Sequence, residues 1–297
     1  MIRMMKILIT GATGRLGRVL QRCYSSEHEV LSPQRHELDL SQPQCLQGLL
    51  GKFDFDLLIN CAAMTSPDVC EHDLSAAMRV NAESPGLMSA ECQQRGAKMI
   101  QISTDYVFGG HGTERLSELS ETMPVNTYGR SKLAGEQAVL AANDQALVAR
   151  VSWLFGGELP SFPEQILKRV WEHHFAEAIE DKWSTPTSTV DVARWLQELF
   201  KNRPEVKGTL HLCNTGSATW QTYAQQTVDL ALQFGMISEP IVVQGRRLDT
   251  FEAFNAKRPK FSVMSNELLA QHLGYAPRSW QAALSEHLQA TVSKGSV

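Results

Sequence analysis

A short apolar strand that runs straight into three evenly spaced glycines constrains this chain more than any other feature. Lys6-Ile-Leu-Ile-Thr10 leads directly into Gly11, Gly14 and Gly17. The first glycine permits a tight turn, the second lets backbone N–H groups approach a pyrophosphate, and the third lets the next helix pack closely on the strand. Leu16, Val19 and Leu20 continue in helical register, so the helix directs its free N-terminal N–H groups at the phosphates. A glycine-rich turn alone carries the same letters. The strand before the motif and the helix after it make dinucleotide binding the stronger reading.

A second pattern lies at Tyr128-Gly-Arg-Ser-Lys132, where a tyrosine and a lysine stand four residues apart, with Leu133, Ala134, Gln137, Ala138 and Leu140 extending the helix. Both side chains share one helix face. A phenol titrates near pH ~10, so it protonates a carbonyl well only where a cation stabilises its phenolate, which the Lys132 ammonium would do. Lysine also suits ribose hydroxyls. Taken alone the pair reads as a solvated helix face; joined to the glycines, it resembles the short-chain dehydrogenase/reductases. That resemblance implies a third group, a hydroxyl near the substrate carbonyl. Lys98-Met-Ile-Gln-Ile-Ser-Thr104 reads as a buried strand ending in Ser103 and Thr104, at the carboxyl end of the sheet where ligands bind. In the extended members of the family the catalytic hydroxyl precedes a two-residue spacer and a Val-aromatic pair. This selects Thr104 and leaves Ser103 to satisfy backbone groups at the strand end.

The resemblance then narrows to the dTDP-4-dehydrorhamnose reductase family and covers nearly the whole chain. Its stretches are Cys61-Ala-Ala63 with Thr65, Asn81, Ser103-Thr-Asp-Tyr-Val-Phe108, Pro124, Gly135-Glu136, Arg150-Val-Ser-Trp-Leu-Phe-Gly156, Ser184-Thr-Pro-Thr187 with Asp191-Val-Ala193, Gly208-Thr-Leu-His-Leu212, Trp220 and Arg258-Pro-Lys-Phe-Ser262. It implies catalysis by Thr104, Tyr128 and Lys132. It also implies a cofactor held by Gly11, Thr13, Gly14, Arg15, Leu16, Gly17, Arg35, Asp39, Leu40, Cys61, Ala62, Ala63, Thr65, Asn81, Ser103, Tyr128 and Lys132, and a substrate held by Thr65, Pro67, Thr104, Tyr128, Trp153 and Arg258. The implied reaction is reduction of the 4-keto group of a nucleotide-linked 6-deoxyhexose, above all dTDP-4-dehydro-L-rhamnose, by a nicotinamide cofactor, in a protein compatible with a homodimer.

Composition agrees. The chain has 297 residues, 43% hydrophobic and 20% charged, with a net charge of −4, which gives no reason to expect nucleic acid or an anionic membrane as partner. No apolar run reaches ~18 residues, and Gly11, Gly14, Arg15 and Arg18 interrupt the N-terminal stretch too early for a secretion signal. Six cysteines without close-paired spacing indicate neither a disulfide framework nor a metal site and fit a reducing cytoplasm. No metal is expected.

Apolar strands near 6–10, 28–31, 56–61, 98–104 and 146–151 alternate with helical patterns, which predicts a Rossmann-type, doubly wound parallel α/β sheet. Residues 1–155 form the expected dinucleotide-binding domain, with 186–214 returning to it. Residues 156–297 supply a smaller substrate lobe, with a strand near 177–180 and helices near 162–174, 219–234, 264–273 and 279–292.

Selectivity is less fixed. NAD sites carry an acid about 20 residues past the first glycine, to accept from the ribose 2′-hydroxyl. Val30-Leu-Ser-Pro-Gln-Arg35 has none, while Ser32 and Arg35 suit a 2′-phosphate. The sequence therefore favours NADP(H) and leaves NAD(H) open. In the lobe, Arg246, Arg247, Lys257, Arg258 and Lys260 are either pyrophosphate ligands or a charged surface. Several positions depart from the family pattern: Ser66-Pro67-Asp68 replaces Ala-Val-Asp, Gly109 replaces Asp, Trp183 disturbs Gln-x-Gly, and Met264 replaces Leu. Two rivals remain. Nucleotide-sugar 4,6-dehydratases follow their threonine with Asp-Glu, whereas Thr104 is followed by Asp105-Tyr106. The non-catalytic β subunit of methionine adenosyltransferase resembles the same family, and Pro67-Asp68-Val69 is similar to it.

Overall fold

The computed structural model describes residues 4–251 and 254–293. Its centre is a six-stranded, wholly parallel sheet built from β1 (Lys6–Thr10), β2 (Glu29–Leu31), β3 (Leu57–Asn60), β4 (Lys98–Thr104), β5 (Leu147–Val151) and β6 (Gly208–His211). Their spatial order is β2-β1-β3-β4-β5-β6. The chain turns outward in opposite directions from β1 and β3, and the carboxyl ends of those strands open a crevice at this switch point.

Strand side chains alternate between two cores, because successive residues of a strand point to opposite faces. Ile7, Ile9, Leu57, Ile59, Ile100, Leu147 and Ala149 face one layer, which includes α1 (Arg15–Tyr24), α8 (Thr189–Asn202) and α10 (Glu267–Leu273). Leu8, Leu58, Met99 and Val148 face the other, under α2 (Leu46–Leu50), α5 (Ser84–Arg95) and α6 (Thr127–Ala142). A sheet covered on both faces needs apolar residues at nearly every position, which these strands supply.

Between β3 and α5 the chain is broken into α3 (Pro67–His72), α4 (Leu74–Met78) and a π-helical turn at Arg79–Glu83. The strand expected near 177–180 forms at Glu177–Ile179, pairing with Gln244–Arg246 outside the main sheet. Two further short pairs, Leu154–Phe155 with Thr187–Ser188 and Trp183–Ser184 with Ala218–Thr219, join the carboxyl ends of the sheet to the C-terminal half. There α7 (Phe162–His173), α9 (Trp220–Gln233) and α11 (Trp280–Ser293) enclose a separate core around Phe155, Tyr223 and Trp280. No helix among the described residues is long and apolar enough to cross a membrane.

Candidate active site

The glycine turn is shaped by close approach. Gly11 has φ +66°, and a Cβ there would lie 2.6 Å from Ala62 N and 2.8 Å from the Cys61 carbonyl carbon. Only glycine lets the β1 and β3 loops meet so closely without strain. A Cβ on Gly17 would overlap the Gly11 carbonyl, so α1 needs a bare backbone there to start against the turn. Gly14 caps α1 with no side-chain acceptor, which leaves the first-turn N–H groups for a ligand. These glycines form one wall of a cavity of about 890 Å³.

Opposite them, β4 and α6 bring the chemical groups together. Asn126 caps α6 by accepting from Gly129 N at 2.7 Å, and the first two turns then aim Tyr128 and Lys132 at the cavity. Lys132 is 4% exposed and donates through Nζ to the Ile102 carbonyl at 2.6 Å. Burial lowers its pKa to about 8, against the raising influence of Glu136. Burial raises that of Tyr128, against a hydrogen bond with Thr104. The Tyr128–Lys132 spacing predicts that Lys132 depresses the tyrosine pKa. In this structure the group opposing the rise is the Thr104 hydroxyl, and the Lys132 ammonium is turned to the strand carbonyl. Thr104 Oγ1 accepts from Tyr106 N and donates to Asp105 Oδ1, both at 3.2 Å.

Ser103 also departs from expectation. Its hydroxyl donates to the Glu136 carboxylate at 2.5 Å instead of to backbone, and Arg150 closes on the same carboxylate at 2.7–3.2 Å. The guanidinium lies over the Phe108 ring at 5.2 Å. An ion pair thus sits under α6, one turn from Lys132.

Asp105, which follows the threonine, is 4% exposed and points away from the cavity. Its Oδ2 accepts from Ser152 Oγ at 3.0 Å and Ser262 Oγ at 2.6 Å. Tyr106 packs edge-on against Tyr128 at 5.6 Å. The acid–base pair of an elimination is therefore not assembled beside Thr104.

A family model described as RmlD substrate binding domain matches residues 5–293. The chain belongs to that family. It is 36% identical over 288 residues to a probable dTDP-4,6-dihydroxy-2-methyloxan-3-one 4-ketoreductase of Streptomyces antibioticus, covering 95% of this chain and 94% of the relative. It is 34% identical to a dTDP-4-dehydrorhamnose reductase of Mycolicibacterium smegmatis, covering 97% and 86%. Among solved structures, a dTDP-4-dehydrorhamnose reductase of Bacillus anthracis in complex with NADP superposes with a TM-score of 0.88 at 28% identity, covering 97% of this chain and all of that one.

Most residues singled out from this reductase's sequence line the one cavity: Gly11, Thr13, Gly14, Arg15, Leu16, Gly17, Arg35, Asp39, Leu40, Cys61, Ala62, Ala63, Thr65, Ser103, Thr104, Tyr128, Lys132 and Trp153. Trp153 takes φ +44°, a left-handed conformation costing an aromatic residue about 1–3 kcal/mol. Phe162, Trp220 and Tyr223 hold it at ring distances of 5.0, 5.3 and 4.9 Å. Arg15 reaches across to the Leu159 and Pro160 carbonyls at 2.5 and 2.6 Å.

Three expected residues stand elsewhere. Asn81 is buried in the π-turn, where it accepts from Met64 N at 2.8 Å and donates to Met64 O and Ser131 Oγ at 3.0 Å, so it fixes the Cys61–Thr65 loop from behind. Pro67 opens α3 outside the cavity wall. Arg258 forms a two-armed pair with Asp68 at 3.0 and 2.5 Å and stacks over Phe254 at 4.2 Å. That guanidinium holds the Asp68 carboxyl down to about 2. Three of the other four lobe cations are also matched by acids: Arg246 by Glu177 at 3.1 Å, Arg247 by Asp249 at 3.4 Å and Lys260 by Asp181 at 2.9 Å.

Sequence reasoning missed Lys182, which is 1% exposed, lies 5.3 Å above the Tyr106 ring, and has a pKa lowered by burial to about 8. Only its place in the fold marks it. Among the described residues no group of His, Cys, Asp and Glu side chains is gathered as metal ligands.

Proposed function

We propose that this reductase uses NAD(P)H to reduce the 4-keto group of a nucleotide-linked 6-deoxyhexose, with dTDP-4-dehydro-L-rhamnose as the substrate and dTDP-L-rhamnose as the product. The observation that carries the reading is the convergence of Thr104, Tyr128 and Lys132 on the cavity that also contains the bare glycine turn. The turn and the uncapped α1 N-terminus fit a pyrophosphate, because no side-chain acceptor occupies the first-turn N–H groups of α1. The M. smegmatis and B. anthracis relatives support the substrate class, and the NADP of the latter supports the cofactor class. NADP(H) is the preferred cofactor, since none of residues 32–36, just past β2, is an acid.

When bound, the nicotinamide supplies a hydride to the carbonyl carbon. The residues manage the oxygen. Burial keeps the Tyr128 phenol protonated at neutral pH, and it donates that proton as the oxygen becomes an alkoxide. The Thr104 hydroxyl, whose hydrogen rotates between Asp105 and the cavity, hydrogen-bonds the same oxygen. Lys132 remains largely an ammonium below about pH 8 and holds the ribose hydroxyls. One ketone, one hydride and one proton give one alcohol.

The test is to mix the protein with NADPH and a panel of nucleotide-linked 4-keto hexoses and follow NADPH absorbance. Oxidation with the dTDP-linked 6-deoxy sugar is expected. Oxidation with none of the panel would overturn the reading.

A further inference from the structure

Beside the main cavity lies a smaller one of about 270 Å³ that shares Ala12, Thr13 and Gln34 with it. It is otherwise lined by Arg18, Gln21, Arg22 and Glu158. Arg18 and Arg22 are one turn apart on α1, each a little under half exposed, and both are turned toward the single carboxylate of Glu158, at 3.8 and 3.2 Å. Arg18 is further fixed by donating from Nε to the Thr13 carbonyl at 3.0 Å. Two guanidiniums therefore share one acid in a recess joined to the dinucleotide cavity at the glycine turn on one side and the loop after β2 on the other. Those two segments flank the adenosine ribose in folds of this kind.

We infer that this recess is the seat of a phosphomonoester, the 2′-phosphate of NADP(H), with Arg18 as its principal ligand, Arg22 as a second, and Glu158 as the anion that occupies both arginines until the phosphate arrives. The inference rests on the dinucleotide reading above and assigns selectivity to residues of α1. Arg35, by contrast, has a side chain 82% exposed and an acid of its own, Asp39, at 3.5 Å. A phosphate carrying nearly two negative charges, with three acceptor oxygens, outcompetes a carboxylate for two guanidiniums. The ribose 2′-hydroxyl of NAD(H) has no charge with which to displace Glu158, so the pair of arginines discriminates without any contact to the unphosphorylated cofactor.

Calorimetric titration of NADPH, NADH and 2′,5′-ADP tests this with two variants of opposite sign. Arg18→Gln should weaken NADPH and 2′,5′-ADP by about tenfold or more, the worth of a charge-assisted contact, and leave NADH within about twofold. Glu158→Gln should tighten NADPH by about two- to fivefold and leave NADH unchanged, an effect that damage to the fold would not produce. Equal losses for both dinucleotides in Arg18→Gln, or an unchanged NADPH affinity, would overturn the inference while the cofactor reading stood. Failure of the unaltered protein to bind either dinucleotide would overturn the cofactor reading and this inference together.

Discussion

Around Tyr128 and Lys132 the polar groups are buried and bonded: Lys132 to a strand carbonyl, Ser103 and Arg150 to Glu136, and Asp105 to three hydroxyls. Around Arg18 and Arg35 the charges are exposed and matched loosely, at 3.5–3.8 Å, by single carboxylates. The contrast fits the roles proposed for the two ends. Proton transfer needs a fixed geometry in a low-dielectric wall, where removing one partner strands another. Recognition of a phosphate needs cations that can exchange one anion for another, and exposed pairs of this kind contribute little individually.

The buried end should therefore break harder than the exposed one. Tyr128→Phe removes one hydroxyl and keeps the ring against Tyr106; turnover should fall by about 10²–10⁴-fold with cofactor affinity preserved, as read by steady-state rates and titration. Near-parental turnover would remove Tyr128 as the acid. Glu136→Gln leaves the Arg150 guanidinium, 5% exposed, without its counter-charge, and should cost about 3–5 kcal/mol of stability by urea unfolding. Combining it with Arg150→Met should cost less than the two separate losses added together, because the two side chains act as a pair.

The pH dependence is intermediate in size. The Lys132 pKa is lowered to about 8, so its ammonium is largely present below that pH and lost above it. NADPH affinity and kcat/KM should accordingly fall as pH rises through about 8, and a profile flat through the alkaline range would contradict the assignment of Lys132 to the ribose. Arg35→Ala, at the exposed end, should weaken NADPH by less than about fivefold in a titration, since its side chain is 82% exposed and screened by salt. A loss as large as that expected for Arg18→Gln would move the selectivity site to the loop after β2.

The same contrast explains what could be read from the sequence. The glycine turn, the Tyr128–Lys132 spacing and the strands were legible because each is a local pattern whose period or spacing is itself the structural requirement. The role of Glu136 was not, because its partners Ser103 and Arg150 lie 33 and 14 residues away and meet it only across the sheet. The pairing of Arg258 was not legible, because its partner Asp68 is 190 residues distant. Asn81 was recognised as part of a motif, but its work behind the Met64 loop depends on a π-turn that no apolar period announces.

Hydride delivery to the sugar C4 with proton donation at its oxygen is the central claim, and an isotope tests it most directly. The protein should be incubated with NADPH carrying deuterium at the transferable nicotinamide C4 position and with dTDP-4-dehydro-L-rhamnose, and the product examined by NMR. Deuterium at C4 of a dTDP-linked 6-deoxyhexose is the expected result. A product without deuterium at that carbon, or cofactor that remains unoxidised, would contradict the account.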